Sequence, residues 1–126
     1  MLARASLSQA KWSDRVLTPL ETFALLGDED GVEIFDVRTT AQRTGHEING
    51  RAGVGVMGAA SVPLDDLVSG AVELPPPDMR VVLVCSRGPK SLVALDYLAE
   101  RCPRAVCVEG GVTAWQNAKL PTEDVA

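Results

Sequence analysis

The sequence predicts an α/β domain with a mostly parallel central sheet of about five strands and helices on both faces. Short runs rich in β-branched residues, such as residues 32–37 and 81–84, alternate along the chain with segments of helical periodicity. Strands that alternate with helices need crossover connections, and these produce a parallel sheet. The chain has 126 residues, the length of one ordinary domain. We therefore expect a single domain over residues 14–122, a poorly ordered leader at 1–13 and a tail at 123–126.

The first helix is predicted from a capping box that begins at Thr18. Thr18 is followed by Pro19, which suits the first helical position, and by Glu21 at the third position after the cap. Gly27 is expected to end the helix. The buried stripe is expected to consist of the apolar residues Leu20, Phe23, Ala24 and Leu26.

The strongest strand prediction is the segment 81–84, because a continuous apolar and β-branched run suits a parallel strand that is buried on both faces. Ligands of parallel sheets bind beyond the carboxyl ends of the strands, so the residues after this segment are the first candidates for a site. The other predicted elements are a strand at 61–62, a helical turn or two at 64–68, a helix at 91–101, a strand at 105–108 and a last helix that runs through Trp115.

The composition excludes several classes of protein. With 46% hydrophobic and 23% charged residues it is typical of a globular protein. No apolar run reaches the roughly 20 residues that span a bilayer. The net charge of -5 argues against a general nucleic-acid binder, which needs a surplus of Lys and Arg. We therefore expect neither a membrane nor a nucleic acid as a partner.

Cysteine usage indicates a reducing compartment. The three cysteines are too few and too irregular for a disulfide framework, and no CxxC pair suggests a metal site. We expect a cytoplasmic protein without a bound metal, and the Arg, Lys and Ser residues near the N-terminus leave a mitochondrial protein as the alternative. Cys102 lies at the far end of the helix that follows Cys85, and Cys107 lies within an apolar strand, so both are interpreted as structural thiols.

Cys85 directly follows the strongest predicted strand and begins the segment CSRGPKS. A thiolate is the reactive form of cysteine, and nearby cations and helix N-termini favour it. Arg87 and Lys90 supply the cations, and Ser91 opens the predicted helix. Gly88 permits a tight loop whose backbone N–H groups point inward. An inert buried thiol is the alternative, since cysteine is often buried, but the loop favours a nucleophile that attracts a small anion.

Six motifs follow one another in a fixed order along the chain. They are Asp36-Val37-Arg38, Gly45-His46, Ala60-Ser61-Val62-Pro63-Leu64, the loop from Cys85 to Ser91, Val108-Glu109-Gly110-Gly111-Val112-Thr113-Ala114-Trp115, and Leu120-Pro121. Each motif is weak alone, but their order and spacing together are specific. From Thr18 to Pro121 the chain resembles a single rhodanese-like domain, the sulfurtransferase module.

The resemblance implies a sulfurtransferase of the thiosulfate type. Cys85 would take a sulfane sulfur from an anionic donor such as thiosulfate, hold it as a persulfide and pass it to cyanide or a thiol. No cofactor is implied, because the sulfur is carried covalently. A persulfide relay that serves a partner protein, with little activity on free thiosulfate, is the alternative. The loop that would cradle the persulfide, with Arg87 and Lys90 contacting the donor, consists of Ser86, Arg87, Gly88, Pro89, Lys90 and Ser91.

Three residues outside the loop would support the site. Asp36 and Arg38 are expected to organise it by ion pairing. His46 is expected to cap or brace a loop, since a preformed thiolate needs no general base. Trp115 is expected to be a core anchor below the last helix.

A phosphatase or an arsenate-handling enzyme is a less favoured alternative. Protein tyrosine phosphatases place an Arg six positions after the cysteine, where it binds phosphate through two parallel hydrogen bonds. In this sequence Ser91 occupies that position, and Lys90 offers a point charge one residue earlier. The length of the loop therefore favours sulfur over phosphate.

The sequence departs from the family pattern between the first and third motifs. Gln42 and Arg43 stand near the place of a Glu-aromatic pair, and the insertion at 47–59 makes this connection longer than usual. The insertion includes a formal GxGxxG at 53–58. We interpret it as a flexible surface loop and not as a dinucleotide site, because it neither follows a strong strand nor opens a helix.

Overall fold

The computed structural model describes residues 12–44 and 53–125. Within these residues the chain forms a five-stranded sheet, a two-stranded sheet and five α-helices. No helix of this described part is long and apolar enough to cross a membrane. In chain order the elements are β1 (Val16–Leu17), α1 (Pro19–Asp28), β2 (Glu33–Asp36), α2 (Thr40–Thr44), β3 (Val54–Val56), β4 (Ala60–Ser61), α3 (Leu64–Ser69), β5 (Val81–Val84), α4 (Pro89–Leu98), β6 (Val106–Val108), α5 (Gly111–Asn117) and β7 (Thr122–Asp124).

The large sheet has the strand order β1-β6-β5-β2-β4, and each neighbouring pair is parallel. This confirms the predicted fold class. β5 lies at the centre, where Val82 pairs with Ile34 of β2 on one side and with Val106 of β6 on the other. The carboxyl end of β5 is therefore in the middle of the edge at which parallel sheets bind ligands.

Helices cover both faces of the large sheet. Alternate residues of β5 enter two separate apolar cores, because successive side chains of a strand point to opposite faces. One core contains residues of α3 and α4, and the other contains residues of α5 and is packed by α1. In β5, the first core receives Val81 and Leu83, and the second receives Val82 and Val84.

Helix α1 begins at the predicted capping box. The Glu21 N–H donates to Thr18 Oγ1 at 3.1 Å, and the Thr18 N–H donates to Glu21 Oε1 at 2.8 Å. The helix continues through Gly27 to Asp28, one residue beyond its predicted end. Local signals therefore located the start of α1 more accurately than its end.

The face of α1 that the sequence predicted to be buried is largely exposed. Leu20 and Phe23 are 66% and 45% exposed, and Ala24 is exposed as well, so the predicted stripe is wrong for these three residues. Leu26 is half-buried, and Thr22 is the buried residue of the helix. The Thr22 hydroxyl donates to the carbonyl of the N-cap residue at 2.9 Å, which allows its burial. Leu25 and Leu26 are residues of α1 that pack against the core that contains α5 residues.

Helix α4 begins two residues earlier than predicted, at Pro89, and ends at Leu98 and not at Arg101. Its N-cap is Gly88, whose φ of 115° is a conformation that favours glycine. Pro89 fits the first helical position because its missing N–H would have no partner within the helix. Ser91 therefore lies in the first turn, where the backbone N–H groups are free to bind other acceptors.

The two-stranded sheet was not predicted. β3 and β7 are antiparallel, with Gly55 opposite Glu123 and Val56 opposite Thr122. The interpretation of 53–58 as a flexible loop is wrong for β3, because Val56 is only 3% exposed and its strand is paired. Glu123, which the sequence analysis assigned to the C-terminal tail, belongs to β7.

Trp12 and Ser13 are the residues of the predicted leader that the structure describes. Trp12 is half-buried, packs against the core that contains α4 residues, and donates its indole N–H to Asp96. The guanidinium of Arg15 lies 5.1 Å from the centre of the Trp12 ring. Trp12 therefore belongs to the packed domain, and residues 1–11 lie outside the described part of the chain.

Candidate active site

Cys85 is the first residue after β5 and is 2% exposed. Its Sγ accepts the N–H of Gly88 at 3.0 Å and the N–H of Ser91 at 3.4 Å. Both amides belong to the beginning of α4. Free N–H groups and the positive end of the helix dipole favour an anion at this position. The geometry therefore stabilises a sulfur atom that carries negative charge.

The residues of the predicted cradle contribute to the loop in different ways. Gly88 and Ser91 contact the sulfur through their amides. Pro89 has no N–H and instead begins α4. The Ser91 hydroxyl donates to the Gly88 carbonyl at 2.8 Å, which closes the loop at its base. Ser86 is bound through its carbonyl to α5 and not to the sulfur.

Helix α5 supports the loop from behind. The Val112 N–H donates to the Cys85 carbonyl at 2.7 Å, and the Thr113 N–H donates to the Ser86 carbonyl at 3.0 Å. Gly111 permits this close approach, because a Cβ at that position would lie 2.2 Å from the Cys85 carbonyl oxygen. Gly111 is thus part of the site, which its place in a sequence motif does not by itself indicate. The signal for it was the Gly-Gly pair at the start of the last helix.

Lys90 and Arg87 are the two cations of the loop, and their surroundings differ. The half-buried Lys90 donates from Nζ to Gln42 Oε1 of α2 at 3.0 Å. Arg87 is exposed and lines a cleft of about 280 Å³ that reaches Val16 of β1 and Glu109, but does not include Cys85. Among the described residues, neither cation forms an ion pair. Their positive charges therefore remain available to an anionic ligand.

Asp36 and Arg38 form a buried ion pair at the end of β2. Arg38 Nη2 lies 2.6 Å from Asp36 Oδ2, and Arg38 Nε donates to Asp36 Oδ1 at 2.9 Å. Arg38 Nη2 also donates to the Val54 carbonyl at 3.0 Å, which links β2 to β3. Arg43 Nε lies 3.4 Å from Asp36 Oδ2. These contacts fit a bracing role, while the other predicted supporting residue, His46, lies outside the described residues.

The other two cysteines have the properties of structural thiols. All three cysteines are free and buried. Burial raises the pKa of Cys102, and it raises the pKa of Cys107 to about 12. Both thiols stay protonated at neutral pH and are poor nucleophiles. In the described ranges, no group of three or more His, Cys, Asp or Glu side chains is arranged to hold a metal ion.

Trp115 is a core anchor, as predicted. It is 1% exposed, and its Nε1 donates to the Pro121 carbonyl at 2.8 Å. Its ring meets the ring of Phe23 edge-on, with 6.3 Å between the centroids. Trp115 therefore secures α5, whose first turn holds the Cys85 loop.

Comparisons with known proteins concern the family and the fold of the chain. The model of the rhodanese-like domain family matches residues 19–118. A thiosulfate sulfurtransferase from Pseudomonas aeruginosa has a TM-score of 0.74 and 23% identity over 97% of this chain, which spans 22% of that protein. A protein of unknown function from Rhodopseudomonas palustris, described as a possible tyrosine phosphatase, has a TM-score of 0.69 and 20% identity, and the match covers 94% of this chain and 93% of that one. A rhodanese homologue from Thermus thermophilus is 31% identical, with a TM-score of 0.58, over 79% of this chain and 98% of its own.

None of the curated proteins matches the chain. At their level of identity, the Pseudomonas and Rhodopseudomonas structures show a shared fold alone. The family match extends over most of the chain and includes the Cys85 loop and α5, which holds it. The chain therefore belongs to the rhodanese-like domain family.

Proposed function

We propose that the protein is a sulfurtransferase that carries a sulfane sulfur as a persulfide on Cys85. The observation that carries this proposal is the position of Cys85 Sγ, 3.0 Å and 3.4 Å from the amide nitrogens of Gly88 and Ser91 at the N-terminus of α4. A thiolate and an ionised persulfide are both anions, so the same amides and helix dipole stabilise the free and the loaded form. Membership of the rhodanese-like family supports the same reaction.

The reaction consists of two displacements at sulfur. In the first, the Cys85 thiolate attacks the outer sulfur of thiosulfate, a new S–S bond forms, and sulfite leaves with the electron pair of the broken S–S bond. In the second, cyanide or a thiolate attacks the outer sulfur of the persulfide. Thiocyanate or a new persulfide forms, and the Cys85 thiolate is restored. The sulfur is carried covalently throughout, so the cycle needs no cofactor.

The charges around the loop suit a small anionic donor. Arg87 is exposed, Lys90 is held by a neutral amide oxygen, and no carboxylate of the described residues forms an ion pair with either. Unpaired cations beside a reactive atom raise the local concentration of anions. Thiosulfate is a dianion, and we propose it or a chemically similar sulfur donor as the substrate of the first step.

Phosphate-ester hydrolysis is the competing function, because one structural neighbour is described as a possible tyrosine phosphatase. The loop fits this reaction poorly. Ser91 stands six positions after Cys85 and offers no guanidinium, and its hydroxyl donates to the Gly88 carbonyl at 2.8 Å. Lys90 is a point charge that cannot form the two parallel hydrogen bonds of an Arg with phosphate.

Steady-state kinetics with thiosulfate and cyanide test the proposal. We expect thiocyanate formation with ping-pong kinetics, a loss of at least about a thousandfold in the Cys85→Ser variant, and full activity in the Cys102→Ala control. Slow turnover beside rapid loading by a persulfidated protein would indicate the relay role. Absence of thiocyanate, together with hydrolysis of an aryl phosphate that depends on Cys85, would overturn the proposal.

A further inference from the structure

Gln42 joins helix α2 to the Cys85 loop through one side-chain oxygen. Gln42 Oε1 accepts the backbone N–H of Thr39 at 3.1 Å and the ammonium of Lys90 at 3.0 Å. The Gln42 N–H donates in return to Thr39 Oγ1 at 3.1 Å. This reciprocal cap fixes the Gln42 side chain on α2. The position of the Lys90 ammonium is therefore set by an element outside its own loop.

The partner of Lys90 is neutral, whereas several other cations of the described residues are paired with carboxylates. Arg38 is paired with Asp36, and Arg80 and Arg104 are paired with Glu29. In the described ranges, Lys90 has no carboxylate within ion-pair distance. An amide oxygen binds an ammonium without cancelling its charge, whereas a carboxylate of the same shape would cancel it.

We propose that Gln42 is a positioning residue that determines the donor specificity of the site. It holds the Lys90 ammonium beside the loop with its charge intact, and Cys85 consequently reacts faster with anions, above all with dianions, than with neutral reagents of the same size. The identity of the sulfur donor rests on the proposed function. The preference for anions does not, because any electrophile that the Cys85 thiolate attacks reports it.

The rates at which two reagents alkylate Cys85 distinguish an effect of local charge from an effect of altered structure. Iodoacetate and iodoacetamide have nearly the same size and react in the same way, since the thiolate displaces iodide from carbon in both. A structural defect changes both rates alike, whereas a change of local charge alters their ratio. The rates are measured at low ionic strength by mass spectrometry of the peptide that contains Cys85.

The Gln42→Glu variant keeps the shape and the capping box and adds one negative charge. We expect the iodoacetate-to-iodoacetamide ratio to fall about threefold, and the rate of loading from dianionic thiosulfate to fall about tenfold. Added salt should reduce both differences. Lys90→Gln should lower the ratio to a similar extent, because it removes the charge that the new carboxylate would pair. Asn117→Asp, which makes the same change of charge on an exposed residue at the far end of α5, should leave the ratio unchanged.

The outcomes distinguish this inference from the proposed function. If the wild-type protein is not loaded by thiosulfate but Gln42→Glu lowers the alkylation ratio, the sulfurtransferase proposal fails and the role of Gln42 stands. If the wild-type protein is loaded but Gln42→Glu leaves the ratio at the wild-type value, the role of Gln42 is overturned. An equal fall of the ratio in Asn117→Asp would also overturn it, because the effect would then not depend on Lys90.

Discussion

The carboxyl ends of β2 and β5 lie side by side in the sheet. They differ in whether the charged groups beside them are paired with groups of opposite charge. At the end of β2, the carboxylate of Asp36 is buried between the guanidinium groups of Arg38 and Arg43. At the end of β5, the sulfur of Cys85 faces two backbone amides, and the nearby Lys90 is bound by a neutral side chain. Within the described residues, the charges at the end of β2 are paired, whereas the positive charge near Cys85 has no carboxylate partner.

Removing one charged group has a different consequence at each strand end. A buried ion pair that loses one partner leaves a charge in a medium of low dielectric constant, and the protein loses about 3 to 5 kcal/mol of stability. Neutralising the positive groups around Cys85 would leave the fold intact and remove the attraction for an anion. Substitutions at the end of β2 should therefore change the free energy of unfolding, and substitutions around Cys85 should change its rate of reaction with anions.

The largest effect on stability is expected at the end of β2. Asp36→Asn leaves Arg38 largely buried without its counter-charge, so we expect the free energy of unfolding to fall by about 3 to 5 kcal/mol in chemical denaturation. Asp124→Asn, the same change at an exposed position of β7, should stay within about 0.5 kcal/mol of the wild type. The alkylation ratio at Cys85 should be unchanged in the folded Asp36→Asn protein. A rise in that ratio, as expected if the uncompensated charge of Arg38 and Arg43 reached Cys85, would contradict the distinction between the two strand ends.

The next largest effect is expected behind the Cys85 loop. A Cβ on Gly111 would lie 2.2 Å from the Cys85 carbonyl oxygen, so Gly111→Ala must displace the loop from α5. We expect the rate of persulfide loading to fall about a hundredfold, since a displacement of about 1 Å has effects of this size. Gly27→Ala is the matched control, because nothing lies within 4 Å of its Cβ position within α1. It should keep full loading activity, and an active Gly111→Ala variant would contradict the supporting role of α5.

A more gradual effect concerns the buried thiol of Cys107 in β6. Burial raises the pKa of Cys107 from its ordinary value of 9.0 to about 12. The protonated thiol is favoured in the folded state, so its contribution to stability is present below pH 9 and is lost as the pH rises towards 12. We expect a loss of up to about 1.4 kcal/mol per pH unit in this window from this group.

Denaturation of wild-type protein and Cys107→Ala at several alkaline pH values measures that contribution. The variant loses packing at every pH, which lowers its curve as a whole, but its stability should decline less steeply above pH 9. Equal slopes for the two proteins would show that Cys107 ionises as easily in the folded state as in the unfolded chain.

The sequence was most informative where the signal is local. The apolar run of β5, the capping box at Thr18 and the short loop after Cys85 each depend on neighbouring residues, and the structure contains all three. The rotation of α1 was predicted wrongly, because the apolar residues Leu20 and Phe23 are exposed and the polar Thr22 is buried, which the helix's own pattern of apolar residues does not indicate.

Contacts between distant parts of the chain were also missed. Gln42 and Lys90 are 48 residues apart, and the sequence analysis recorded Gln42 only as a departure from the family pattern. Strand β3 is three residues long and contains Gly55, so its sequence alone did not indicate a strand. It forms by pairing with β7, which is distant in the chain. Sequence reasoning thus identified Cys85 and its loop as the candidate site, but not the residues on α2 and α5 that contact the loop.

The central claim is that Cys85 carries a sulfane sulfur, and the intact mass of the protein tests it most directly. After incubation with thiosulfate and removal of the excess, the wild-type protein should gain the mass of one sulfur atom, and cyanide should remove it. The Cys85→Ser protein should gain nothing. A wild-type mass that does not change, or a gain that persists in Cys85→Ser, would contradict the claim.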